Sequence, residues 1–143
     1  MSESIHIKEQ LEALLKKAGQ GYDGEFNASI GGKNFVSATG DNTTFYEAAD
    51  DFLIVGFDDE NRGHVAFTVP KSLDGDGPHP VQWYRGQINW SANVGGGSQL
   101  IESGWAEVTF LKKVYERIGA EGEIHFQLPD GQEIVGDFQI KRR

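Results

Sequence analysis

Apolar and polar residues alternate along most of this chain. Six short segments show it most clearly, each opened by a glycine: residues 24–28, 63–67, 86–90, 104–108, 122–126 and 136–140. Side chains in a strand point alternately to its two faces, so a period of two describes half-buried β-strands. Glycine at the head of such a run marks a turn, bulge or bend. Residues 4–18 follow a different period. Ile7, Leu11, Leu14, Leu15 and Ala18 recur at helical spacing, with Lys8, Glu12, Lys16 and Lys17 on the opposite side. Ser4 is the expected N-cap, Glu9 and the late lysines suit the helix dipole, and Gly19 and Gly21 end the helix.

The remaining pattern predicts strands at residues 24–30 and 33–38, joined by Gly31-Gly32, a hairpin signal because tight hairpin turns need positive φ. A short strand is expected at 43–48. Phe52-Leu53-Ile54-Val55 is continuously apolar and reads as a strand buried on both faces. Residues 58–61 turn into a strand at 63–69. Residues 70–80 hold three of the four prolines and read as a loop. Residues 81–91 read as one long strand, or two kinked at Gly86. Residues 93–98 read as a flexible loop, and 99–111 as a strand with a bulge at Ser103-Gly104. Residues 112–119 read as a helical turn. Residues 121–128 and 133–140 form a hairpin around Pro129-Asp130-Gly131, and the basic tail Lys141-Arg142-Arg143 is expected to be mobile. About eight to ten short antiparallel strands and no βαβ alternation predict an all-β antiparallel sandwich or flattened barrel carrying one amino-terminal helix. The 143 residues suffice for one domain, with the β part at 24–140.

Composition narrows the chemistry. The net charge of −9 disfavours nucleic acids and anionic membranes as partners. Seven acids and no Lys or Arg lie between Asp41 and Asn61, which reads as a solvated face, a docking face for a basic partner or a weak cation site. There is no cysteine, so disulfides, thiolate nucleophiles and Cys-based zinc sites are absent. The amino terminus has no cationic segment followed by an apolar one, and no window approaches the roughly 18 apolar residues of a membrane span. The expectation is a cytoplasmic protein, although a mature exported chain given a new Met would read the same way.

A resemblance adds to this picture. The hairpin Phe26-Asn-Ala28-Ser-Ile30-Gly-Gly32-Lys33-Asn-Phe35, the run Leu53-Ile-Val55-Gly56 and the closing strands Gly122-Glu-Ile-His-Phe126 and Ile134-Val-Gly136-Asp-Phe138 carry it. Together they resemble small all-β bacterial domains of unknown function, many of them in lipoproteins. Those domains open on an F-x-A-x-I-x-G-K-x-F hairpin and close on a G-x-F strand. The chain departs from them in lacking a lipoprotein cysteine and in adding the helix. The resemblance implies a β-sandwich or barrel and brings no catalytic residue.

No reaction is legible. His6, His64, His79 and His125 do not pair at metal-binding spacing, and His64 and His125 fall in the polar phase of their strands, which places them at the surface. Asp74-Gly-Asp76-Gly and Asp58-Asp-Glu60-Asn offer oxygen ligands but do not follow the EF-hand order, so both read as turns. Gly95-Gly96-Gly97-Ser98 lacks the Lys-Ser/Thr of a phosphate loop, and Ser91, Ser98 and Ser103 show no triad order. No cofactor and no metal are expected.

The aromatics are more specific. Alternation in 81–90 sends Tyr84, Ile88 and Trp90 inward and Trp83, Arg85, Gln87 and Asn89 outward. Alternation in 104–110 sends Ala106, Val108 and Phe110 inward, with Trp105 and Glu107 outward. An outward Trp beside planar polar side chains is what sugar rings and protein hot spots use. The alternative is that both Trp rings pack under the helix or along an edge. The sequence therefore predicts a non-enzymatic binding module with a site at Trp83, Arg85, Gln87, Asn89, Trp105 and Glu107, whose partner is a protein, a glycan or a small ligand. Its alternatives are an acidic inhibitor or immunity-type protein that masks a basic partner, and a barrel that encloses a small apolar ligand.

Overall fold

A computed structural model describes residues 2–18, 21–58 and 63–143, without the side chains of residues 2–8 and 14. The chain begins with helix α1 (Ser2–Ala18). Strands β1 (Tyr22–Ile30), β2 (Lys33–Thr39), β3 (Thr43–Glu47), β4 (Asp51–Asp58) and β5 (Gly63–Pro70) follow. Then come β6 (His79–Gln82), β7 (Ser91–Asn93), β8 (Ser98–Leu100), β9 (Ser103–Lys113), β10 (Glu116–Gln127) and β11 (Glu133–Arg142). Two antiparallel sheets result. Sheet A runs β2-β1-β11-β10-β9-β6 and sheet B runs β3-β4-β5-β7-β8. They pack face to face as a sandwich, and between them rings fill the space. Phe67 meets Trp90, Phe126 and Phe138 edge-on at 5.6, 5.4 and 5.7 Å between centroids. Rings in this arrangement contribute beyond their buried area.

Sheet B is covered on both faces. Phe52, Ile54, Val65, Phe67 and Val69 face sheet A. Leu53, Val55 and Ala66 face the other way, with Ile88, and form a second cluster around Leu11 of α1. That explains why the middle of β4, Phe52 to Val55, is continuously apolar.

The expected strands at 24–30, 33–38, 43–48, 63–69, 121–128 and 133–140 are present, within a few residues at their ends. Gly31 and Gly32 both take positive φ, as the hairpin demands. Other expectations change. The helix begins at Ser2, so Ser4 lies inside it and does not cap it. The side chains of Ile7 and Leu14, and Gly19, lie outside the described residues, as do Asp59, Glu60 and Asn61 of the expected turn. Residues 83–90 form no strand: the chain leaves sheet A after Gln82 and enters sheet B at Ser91. Residues 99–111 are divided by a break at Ile101-Glu102, and β9 pairs with β10 through Ser103 and Gly104 without a bulge there. Residues 112–119 are the tip of the long β9–β10 hairpin. Its turn is Val114-Tyr115, with Val114 in the left-handed region at φ 60°. The basic tail is ordered. β11 runs to Arg142, and the Arg143 guanidinium bonds Asp23 Oδ1 at 2.9 Å and Asp41 Oδ1 at 3.0 Å.

Among the described helical side chains, Leu11 is buried in the second cluster and Leu15 packs partly buried against it, so Leu11 helps to hold α1 on the sheet. Leu11→Ala should lower the unfolding free energy by about 2–3 kcal/mol in urea denaturation. An unchanged midpoint would mean that α1 does not contribute to the stability of the sandwich.

Candidate functional site

Eight residues, 83–90, carry the chain from one sheet to the other without a ladder of their own. Side chains of sheet B take the place of that ladder. Asp51, at the start of β4 and 5% exposed, accepts the Tyr84 hydroxyl on Oδ1 at 2.8 Å and the Gln87 backbone N–H on Oδ2 at 2.7 Å. Trp90 Nε1 donates to Thr68 Oγ1 at 2.9 Å, and Thr68 is also a hydrogen-bond partner of the Tyr84 phenol. Burial raises the Tyr84 pKa, and the bond to Asp51 raises it further, so the phenol stays a donor throughout the physiological range. Gly86 sits against this cluster so closely that a Cβ there would overlap Thr68 Oγ1. Ile88 then enters the helix-side cluster and Trp90 the inter-sheet core, two residues apart and on opposite sides of sheet B.

This path decides where the expected site residues fall. Trp83 follows β6, gives its backbone N–H to Gly104 O at 2.8 Å, and leaves its ring 43% exposed. Trp83, Arg85 and Asn89 line one cleft of about 190 Å³, with Tyr84, Trp90 and Leu100 as further walls. Neither the Arg85 guanidinium nor the Asn89 side-chain amide has a hydrogen-bond or ion-pair partner among the described residues. Gln87 is turned to the other side of the crossover, where its Oε1 accepts the Asp50 N–H at 3.1 Å. Trp105 lies on the outer face of sheet A, as alternation in β9 predicts, and stacks on His125 of β10 at 4.3 Å and 19°. Glu107 shares that face and stands opposite Glu123, which stands opposite Asp137. The six residues thus divide into a cleft of three, one residue behind it, and two on the sheet face. Tyr84, Ile88 and Trp90 are covered and Trp83, Arg85 and Gln87 exposed, as alternation has it. The two common faces of a single strand are corrected: residues 83–90 wrap a carboxylate, Ile88 and Trp90 enter different clusters, and Gln87 turns away from Trp83, Arg85 and Asn89.

Two other sequence expectations are also revised. His64 is buried and shares a 3.2 Å hydrogen bond with Ser91 Oγ, because α1 and the crossover cover the face that alternation left open to solvent. Both side chains are almost fully covered (4% and 1% exposed), so this pair is closed to a substrate. The acidic stretch 41–60 is no continuous solvated face. Asp51 and Asp58 are buried, Asp41 pairs with Arg143, and Glu47 pairs with Lys71 at 2.8 Å. In the loop 71–78, Asp76 pairs with Lys112 at 2.9 Å, and Arg117 ties the loop down through the carbonyls of Lys71, Leu73 and Gly75. Among the described residues no three metal-ligating side chains converge. No helix among them is long and apolar enough to cross a membrane. Asp51, Thr68 and Tyr84 were missed as a set. Their only signal was an acid directly before the apolar run Phe52-Leu53-Ile54-Val55.

No family model matches the chain, and no curated protein or solved structure matches it.

Burial lowers the His64 pKa from 6.5 to about 4. The folded state therefore holds a neutral ring that the unfolded chain would protonate. The contribution is intact above pH 6.5 and is lost as pH falls toward 4, a loss of about 3 kcal/mol. Urea denaturation of the parent and of His64→Gln at a series of pH values isolates it. The stability difference between the two should move against the parent by about that amount from pH 7 to pH 4. A constant difference would show that His64 does not titrate this way.

Proposed function

We propose that this protein is a binding module, and that its recognition site is the cleft beside Trp83, taking a sugar ring of a glycan. One observation carries the proposal. An exposed Trp ring stands next to a guanidinium and a side-chain amide, both without partners among the described residues, around a cleft of about 190 Å³. A flat apolar ring face offers stacking for the C–H face of a sugar, and the planar polar groups beside it offer hydrogen bonds to hydroxyls. The volume is below the roughly 300 Å³ at which pockets for drug-sized ligands begin, so it suits one ring with the rest of the chain outside. Arg85 is the cation of the cleft and favours a ring that bears a carboxylate. Nothing in the arrangement supplies a nucleophile beside a base, which fits recognition without turnover.

A different observation favours an acidic protein that covers a basic partner. The directly opposed Glu107, Glu123 and Asp137 stand on the exposed face of sheet A, and like charges across strands are unfavourable unless something neutralises them. Such a partner would engage this face and leave the 41–60 stretch aside.

Tryptophan fluorescence titrated with glucose and with glucuronate tests the first proposal. A ring of about a dozen heavy atoms at about −0.3 kcal/mol each should bind in the millimolar range. Trp83→Ala should abolish the response, and Arg85→Gln should weaken glucuronate more than glucose. A parent protein silent to both sugars, or a response that survives Trp83→Ala, would refute it. Salt-sensitive binding of a basic protein, indifferent to Trp83→Ala and lost in Glu123→Gln, would favour the acidic-protein alternative.

A further inference from the structure

Helix α1 is narrower than the sheet face it covers. Leu11 is centred on Leu53, Val55, Ala66 and Ile88, and a cleft opens along each flank of the helix. The cleft on the Gln10 and Ala13 side measures about 260 Å³. Ala13, Ala48, Leu53 and Ile88 make its walls apolar. Asp51 and Thr68 lie in its lining and are 5% and 1% exposed. Among the described residues, no basic side chain pairs with Asp51. Its two hydrogen bonds come from neutral donors, the Tyr84 hydroxyl and the Gln87 N–H. Lys71, from the adjoining segment, is committed to Glu47 Oε2 and Ala48 O. A carboxylate offers about four acceptor positions, so Asp51 retains acceptor capacity as well as its charge. A buried charge without a counter-charge is costly, and a cation entering beside it recovers much of that cost.

We infer that this cleft is a binding site for a small primary amine with a compact apolar body. An ammonium group carries three N–H donors and the one charge the site lacks. Asp51 takes the charge, and the Thr68 hydroxyl and Gln10 amide line the same space as further acceptors. The aliphatic walls take the apolar body. The volume holds a molecule of the size of benzylamine and excludes a peptide or a glycan chain. The site lies across the crossover from the Trp83 cleft. Tyr84 forms a wall of that cleft and gives its proton to Asp51 in this one, so a single hydrogen bond separates the two.

The test is calorimetric titration of the full chain with benzylamine and with its neutral analogue benzyl alcohol, at an ionic strength that screens exposed charges. Benzylamine should bind at least about tenfold more tightly than the alcohol, the difference expected of one charge-assisted hydrogen bond. Asp51→Asn should remove that preference. Ala13→Phe, at an exposed helical position on the rim, should block the amine while the fold and the Asp51 bonds persist, and it keeps the test valid if Asp51→Asn fails to fold. Equal binding of both probes, no binding of benzylamine, or amine binding that survives Ala13→Phe as a surface ion pair would survive it, would each overturn the inference.

Discussion

One buried carboxylate organises the irregular part of this molecule. Between β6 and β7 the chain must change sheets, and in doing so it gives up ladder hydrogen bonds over residues 83–90. Backbone donors lost from water must find partners, and Asp51 supplies one for Gln87 while fixing the Tyr84 phenol. Trp90 and Thr68 close the same cluster from the core side. The close fit of Gly86 against Thr68 leaves the segment one path. Trp83, Arg85 and Asn89 lie where they do because of that path. The cleft they line is thus a product of the crossover, and the crossover of Asp51.

The second constraint is the helix. Laid over sheet B, α1 makes two cores from one sheet, and it converts polar positions on the outer face of that sheet into buried ones. Thr44, His64, Thr68 and Ser91 are all buried there. Each such group needs a partner inside the protein, which is why this face carries hydrogen-bonded pairs, such as His64 with Ser91, beside its aliphatic cluster. The outer face of sheet A has no such cover. It keeps regular alternation, and its Trp105 and His125 shield each other by stacking.

The difference between the two faces accounts for what was legible in the sequence. Period-two patterning located most of the strands because each has one solvent face or one apolar core. The glycine pair at 31–32 and Pro129-Asp130-Gly131 located two hairpins because their turn chemistry is local. The β9–β10 turn was hidden, because Val114 and Tyr115 are not residues that signal a turn, and Val114 still adopts φ 60°. Residues 83–90 misled for a deeper reason. Their alternation is real as a pattern, but the partner that shapes them is a side chain more than thirty positions earlier. Of the site, Trp83, Arg85 and Asn89 line one cleft, whereas Gln87, exposed as alternation has it, is turned to the other side of the crossover because the backbone between them wraps Asp51. His64 was misplaced because nothing in β5 itself announces that a helix from the other end of the chain lies over it.

Amide hydrogen exchange on Asp51→Ala tests the dependence of the crossover on this carboxylate most directly. The Gln87 amide and its neighbours in 83–90 should exchange at least about tenfold faster than in the parent, matching the loss of a hydrogen bond to a charged acceptor, while amides of β9, β10 and β11 keep their protection. Parent-like protection throughout 83–90 would contradict the account, because the crossover would then hold its path without Asp51. An equal loss of protection in β10 and β11 would contradict it as well, because Asp51 would then support the whole sandwich and not this segment.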